Sequence, residues 1–317
     1  MRLTRRALAA LLSVAALVAA SWAAVADGAA GPPLPRAAGL TWAKVKKAYG
    51  EPLSFAPGSS VMVKGTNRVP FLLLDAKANV VEGAQVAVYT MRNDGTGVRG
   101  PFRATFQPFG VKPAYLSRTT ASDPNVHKGF YVARVPSAKG GPTALFALAR
   151  VKGRLLATGP NTVGLTLKRS QEPPAVGQKA IRMHTLTPVD TDGDYSKLTT
   201  RTPPDKDLVG TDFAKVVGRK PVVLVFATPL LCQSRVCGPT VDAAEQVKGV
   251  FGNRVAWVHQ EIYVDNVVKK GLRPQVRKWR LPSEPWVFVI DAKGTIVARS
   301  EGAISVPELT AMVRRAL

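Results

Sequence analysis

The chain is poor in the residues that most site chemistries require. Its two cysteines, Cys232 and Cys237, exclude a disulfide-dense small fold, a four-cysteine zinc site and a ferredoxin-type cluster. Only three histidines occur, His127, His184 and His259. No HExxH, GxxxxGK[ST] or GxSxG motif is present, so zinc-protease, P-loop and hydrolase readings lose their usual sequence support. Acid is scarce too: 21 Asp+Glu stand against 44 Lys+Arg, a formal net charge of +23. After residue 26 no apolar run is long enough to span a bilayer. No internal repeat is visible. What remains is a chain of 317 residues, 46% hydrophobic and 21% charged, the composition of a globular protein of about two domains.

The first 26 residues read as an export signal. Arg2, Arg5 and Arg6 form a basic head with no acid, Ala7 to Ala26 is apolar apart from Ser13 and Ser21, and Ala24-Val25-Ala26 is a small-x-small exit. Thr4-Arg5-Arg6 begins like a twin-arginine signal, but Ala7 and Leu8 complete it poorly. The competing reading is an uncleaved anchor helix, since the stretch is long enough to cross a membrane. No cysteine follows the exit, so a lipoprotein anchor is unsupported. The mature chain is therefore expected outside the cytoplasm (secreted, periplasmic or envelope-associated), where disulfides form. Its cationic character is uneven: residues 27–168 carry 19 basic and 6 acidic side chains, residues 169–317 carry 22 and 15. Such a surface is drawn weakly to anionic envelope components. The basic residues are scattered and no aromatic-studded basic strand occurs, so nucleic acid is not an expected partner.

Residues 59–168 read as short strands. Val69–Leu74, Ala84–Thr90, Phe102–Phe106, Gly129–Val135 and Thr143–Val151 are rich in Val, Phe, Tyr, Leu and Ala, with turn signals such as Asn93-Asp94-Gly95 and Gly140-Gly141-Pro142 between them. Val86, Val88 and Thr90 alternate as on one strand face. The expectation is an all-β, immunoglobulin-like sandwich serving as a binding or spacing module, with His127 a lone surface histidine. Residues 169–207, dense in Pro, Asp, Gly and Thr, read as an extended linker. Within it Asp190-Thr191-Asp192-Gly193-Asp194 resembles the start of a calcium loop but lacks the sixth-position glycine and the twelfth-position glutamate, so it reads as a turn. Residues 208–317 alternate strand and helix in the order β, α, β, α, β, β, α. Val222–Ala227 is a continuous apolar run, as in a strand buried on both faces.

Both cysteines fall in the loop after that first strand, in Cys232-Gln-Ser-Arg-Val-Cys237-Gly-Pro, and Glu284-Pro285 precedes the third strand, Trp286–Ile290. This order of elements, the cysteine pair and the proline resemble the thioredoxin superfamily over about Leu208–Leu317, and in particular exported bacterial thioredoxin-like proteins with a Cys-x4-Cys motif. The resemblance implies an α/β thioredoxin-like C-terminal domain, a cis-proline at Pro285 facing the cysteines, and thiol–disulfide exchange with exported protein thiols or disulfides. No cofactor is implied and no metal is assigned.

The chemistry needs a thiolate that attacks a disulfide and a second thiol that resolves the mixed disulfide. By its distance from the end of the first strand Cys232 stands about where the resemblance implies the attacking cysteine. Cys237-Gly238-Pro239 instead places Cys237 at a helix start, where the dipole lowers a thiol pKa. The reading taken is that Cys232 attacks, Cys237 resolves, Pro285 orients the partner strand, Glu284 and Trp286 flank the groove, and Arg235 favours the thiolate. Two alternatives stand beside it. One is an envelope-binding module whose Cys232–Cys237 bridge is only a loop staple. The other is a copper-handling protein, for which the expected third ligand is missing: His259 lies on the second strand and no histidine lies near Pro285. A peroxidase reading falters because Thr228 stands four residues before Cys232 rather than three.

Overall fold

The computed structural model describes residues 32–317; the export signal expected over residues 1–26 lies outside them. Eight strands come first: β1 (Ser54–Pro57), β2 (Gly65–Leu74), β3 (Gln85–Met91), β4 (Arg99–Pro108), β5 (Gly129–Ser137), β6 (Thr143–Val151), β7 (Arg154–Ala157) and β8 (Asn161–Val163). They hydrogen-bond in the order β1-β2-β5-β4-β3-β6-β7, with β8 also on β6, and every pair is antiparallel. The two separate facing sheets of the expected sandwich are not formed. One sheet rolls on itself until the N–H of Leu53, before β1, meets the carbonyl of Ala157 at the end of β7 (3.3 Å). Long, twisting strands and a register shift between β3 and β4 supply the curvature that rolls it.

Strand alternation then divides the side chains. Val86 and Val88 point into the roll with Phe71, Leu73, Tyr131 and Leu145. Ala87 and Tyr89 point outward, with Phe146 and Leu148, and are covered by helix α1 (Trp42–Tyr49), whose Val45 is buried. Between β4 and β5 the chain leaves the sheet for a short helix, α2 (Arg118–Ser122), capped by the Ser117 hydroxyl.

The second region is a four-stranded sheet ordered β10-β9-β11-β12, built from β9 (Val222–Phe226), β10 (Ala256–Gln260), β11 (Trp286–Ile290) and β12 (Ile296–Glu301). β10 runs parallel to β9, while β11 and β12 are antiparallel to their neighbours. Two one-turn helices, α3 (Lys206–Val209) and α4 (Phe213–Val216), precede it; α5 (Cys237–Phe251), α6 (Pro274–Lys278) and α7 (Val306–Val313) complete the predicted order from β9 onward. β9 is buried along its whole length because both faces are covered: Val223 and Val225 pack under α5 and α7, and Leu224 and Phe226 against Trp279 and Phe288.

The segment expected to be an extended linker, 169–207, is mostly irregular but lies along this sheet. Ala180 N–H donates to the Gly294 carbonyl (2.9 Å), the Gln178 carbonyl accepts from Ile296 N–H (2.9 Å), and Met183 joins the core beside Trp279. Its Asp190–Gly193 stretch is a turn, with Asp192 in the left-handed region (φ 50°).

The two regions meet through an apolar cluster, in which Leu72, Phe109, Phe130 and Val132 pack with Val236 and Ala303, and through polar contacts. Arg68 of β2 forks onto both carboxylate oxygens of Glu308 (2.6 and 2.7 Å), and Glu301 accepts from the Ser60 N–H and hydroxyl (both 2.6 Å). The Lys112 N–H donates to the Gln246 side chain (2.7 Å). Among the described residues no helix is long and apolar enough to cross a membrane.

Candidate active site

β9 ends at Phe226 and delivers the chain into a loop that returns at Cys237, the first residue of α5. The cysteines are bonded to each other, with Cα atoms 6.0 Å apart. Cys237 is fully buried, whereas Cys232 is 8% exposed and borders a cleft of about 570 Å³. Residues Thr119, Ser122 and Asp123 of the rolled sheet's α2 excursion form one wall; Leu231, Cys232 and Arg235 form the other. The cleft is therefore shared by both regions. Leu230, 60% exposed, stands at the loop tip beside it.

Local sequence explains how α5 starts here. Pro239 occupies the first turn, where its missing N–H costs nothing. Gly238 is required by a neighbour: a Cβ there would stand 2.8 Å from the Thr120 hydroxyl oxygen of α2. The Cys-Gly-Pro run thus starts the helix and admits the other region against it.

Beneath the sulfurs lies Glu284. Its Oε2 accepts the Thr228 N–H (3.0 Å) and is 3.6 Å from Cys237 Sγ. Burial pushes its carboxyl up to about 7, and the charge of Glu261 adds to the rise. Glu261 is itself fully buried and holds the loop from the other side. Its Oε1 accepts from the Thr200 N–H (2.6 Å) and hydroxyl (2.7 Å), and the same hydroxyl accepts from the Leu230 N–H (3.1 Å). Two carboxylates therefore brace the cysteine loop, one at Thr228 and one, through Thr200, at Leu230. Sequence reasoning missed Glu261 and Thr200: they lie 61 residues apart, and each reads locally as a solvated polar residue.

Three of the predicted site residues stand elsewhere in role. Trp286 does not flank the groove. It is 1% exposed and packs on the opposite face of the sheet with Phe288, under the Arg299 guanidinium, because the alternation that sends Val287 toward α5 sends Trp286 away from it. Pro285 follows a cis peptide bond, as the resemblance implies, but it is buried and its carbonyl accepts the Gly302 N–H (2.8 Å), so it offers no free edge carbonyl to a partner strand. Arg235, in the left-handed region (φ 56°), directs its guanidinium to Asp123 across the cleft (3.3 Å), where its charge is paired. Glu284 does sit at the cysteines, below them rather than at a rim.

The histidines are accounted for separately. His259 is buried, with Nε2 donating to the Ala227 carbonyl (2.9 Å) and Nδ1 3.4 Å from the Thr199 hydroxyl; burial lowers its proton affinity. His127 is half-buried in a second groove of about 660 Å³ on the far side of the cysteine loop, and burial lowers its pKa as well. His184 bridges Asp212 and Asp190, at 3.0 Å from each. Among the described residues, the group whose ligand atoms converge as a metal would need is Cys232, Cys237 and Glu284, all within 4.8 Å of one another.

The arrangement can carry out two-electron sulfur chemistry: a bonded cysteine pair, one member at a cleft and the other at a helix start, with a carboxyl against the inner sulfur. No protein-family model and no curated protein sequence matches the chain. Among solved structures it is similar to a thiol:disulfide interchange protein, a thioredoxin family protein from Chlorobium tepidum TLS, at 18% identity and a TM-score of 0.31, over 45% of this chain and 98% of that one.

Proposed function

We propose that the chain is an exported thiol–disulfide oxidoreductase acting on protein thiols or disulfides through Cys232 and Cys237. The observation that carries the reading is the placement of the pair: Cys232 at a cleft, Cys237 in the first turn of α5. In the reducing direction the Cys232 thiolate attacks one sulfur of a substrate disulfide, forming a mixed disulfide and releasing a substrate thiolate. The Cys237 thiol then gives its proton to the Glu284 carboxylate beside it, and the resulting thiolate attacks Cys232 Sγ. The Cys232–Cys237 bond closes and the second substrate sulfur leaves as a thiolate. The buried inner sulfur and outer cleft favour this assignment over attack by Cys237. An extracytoplasmic location is supported by the signal-like residues 1–26 and by a bonded cysteine pair, which persists in oxidising compartments. The cationic surface adds weak attraction to an anionic envelope.

A structural bridge is the competing reading, and the near-complete burial of both cysteines favours it. Equilibration with glutathione, followed by mass spectrometry, separates the two. A reduction potential above about −270 mV places the pair among exchange catalysts; one below about −300 mV marks a staple and ends the oxidoreductase reading.

A further inference from the structure

We infer that the reduced pair and Glu284 together form a zinc site, with Cys232 Sγ, Cys237 Sγ and Glu284 Oε2 as ligands. Three observations carry it. First, the ligand atoms already lie within 4.8 Å of one another, and the Cys237–Glu284 separation of 3.6 Å matches the edge of a zinc tetrahedron, about 3.5–3.8 Å for ordinary Zn–S and Zn–O bonds. Second, Glu284 is pre-positioned as a ligand. The Thr228 N–H and the Tyr263 hydroxyl both hydrogen-bond its carboxyl and fix its orientation at the sulfurs. Third, the loop's own cation does not compete, because Asp123 engages Arg235. The cleft bordering Cys232 gives solvent access to the outer sulfur, from which water would enter as a fourth ligand.

The ligand set selects the ion. Two thiolates and a carboxylate carry three negative charges. A divalent ion reduces this to one, which the positive end of α5 favours; copper(I) would leave two in a buried site. Copper(I) also has little use for a carboxylate, whereas zinc accepts sulfur and oxygen together. The balance is simple. A dithiol or phosphine reductant supplies two electrons and two protons to the disulfide, and zinc then displaces the two thiol protons to solvent. Disulfide and zinc use the same sulfurs, so each excludes the other, and oxidation releases the ion. The inference shares with the exchange reading only the requirement that the pair be reducible.

The test titrates zinc into the phosphine-reduced protein, freed of reductant, against a chromophoric chelator, with the oxidised protein and Glu284→Gln beside it. One zinc per reduced chain is expected, at least tenfold weaker binding after oxidation, and at least tenfold weaker binding in Glu284→Gln. Equal affinity in Glu284→Gln, no retention by the reduced chain, or retention of copper(I) with zinc refused would each overturn the site. If Glu284→Gln fails to fold, X-ray absorption on the zinc-loaded parent decides: two sulfurs with oxygen uphold it, four sulfurs refute it. Exchange activity is measured on the same sample in chelator. Exchange without zinc binding removes this inference and leaves the oxidoreductase reading intact; zinc binding without exchange does the reverse.

Discussion

The rolled sheet and the mixed sheet bury different chemistry. Before residue 169 the buried polar side chains are hydroxyls and one amide: Ser59, Asn67, Thr90, Ser117, Thr120 and Thr158. Among the described residues every buried Asp, Glu, Arg or His lies after residue 200. The cause is what each region leaves unpaired. A sheet that nearly closes satisfies most of its backbone in its own ladders, so its interior needs no buried charge. The mixed sheet is dressed with irregular chain whose N–H groups need acceptors, and carboxylates supply them: Asp205 to Asp207 and Leu208, Asp212 to Thr185 and Ala214, Glu261 to Thr200, Glu284 to Thr228. The candidate active site belongs to this second pattern, and its acid against the inner sulfur is one of these acceptors.

The contrast is broken most severely at Arg201. Its guanidinium is buried against Asp242 (3.0 Å) and Glu245, and it reaches the Tyr115 carbonyl of the first region (3.0 Å). Arg201→Leu strands Asp242, whose carboxyl burial already pushes up, and should cost about 3–5 kcal/mol in urea unfolding. The exposed Arg134 of β5, replaced by Leu, should stay within about 0.5 kcal/mol. Equal losses at the two positions would refute the division.

Next in size is the brace on the cysteine loop. Thr200→Val removes the hydroxyl that serves both Glu261 and Leu230, for an expected loss of about 1.5–3 kcal/mol. Hydrogen exchange at the Leu230 amide should accelerate more than exchange in β5. Uniform acceleration would show that the loop is held elsewhere.

Gly238→Ala tests whether the regions are coupled at the helix start. The added methyl meets the Thr120 hydroxyl, at a cost of about 1–3 kcal/mol, and Thr120→Ala in the same chain should recover most of it. An additive double variant would mean that the contact does not govern the cost.

The smallest effect is a pH dependence. Asp212 and, less strongly, Asp190 raise the pKa of His184 above its ordinary 6.5. A raised base contributes stability that is complete below about 6.5 and is lost as pH climbs through the higher folded-state value. The half-exposed ring limits the gain to less than about 1 kcal/mol. His184→Gln should therefore destabilise the protein at pH 5.5 and leave it nearly unchanged at pH 9; the opposite ordering would contradict the ion pair.

Much of this could be read along the chain. Alternation at Val86 and Val88 marked an inward face; the unbroken run Val222–Ala227 marked a strand covered on both sides; Cys-Gly-Pro marked the start of α5. These are local signals, set by the two-residue period of a strand and by the φ and missing donor of proline. Trp286 shows where such reading ends. Its neighbours in sequence are legible, but which face of β11 meets the cysteines depends on how β11 registers against β9, with Trp286 opposite Phe226. The sandwich failed for a related reason, since the same short strands make two sheets or one roll according to which edges find each other.

By itself, then, the sequence determined the five central strands of the first region, the order of strands and helices from β9 onward, the position of the sulfur pair in a loop after the first strand of the mixed sheet, and the carboxyl of Glu284 beside Pro285, but not α1 to α4 or the strands β1, β7 and β8. Only the tertiary structure decided that the first region rolls up, that its α2 excursion walls the cleft at Cys232, and that Thr200 and Glu261 brace the loop. Periodicity and turn chemistry act over a few residues and are written locally. A buried carboxylate is set by the N–H groups it must satisfy, and here those come from chain 61 residues away for Glu261 and as many as 241 for Glu301.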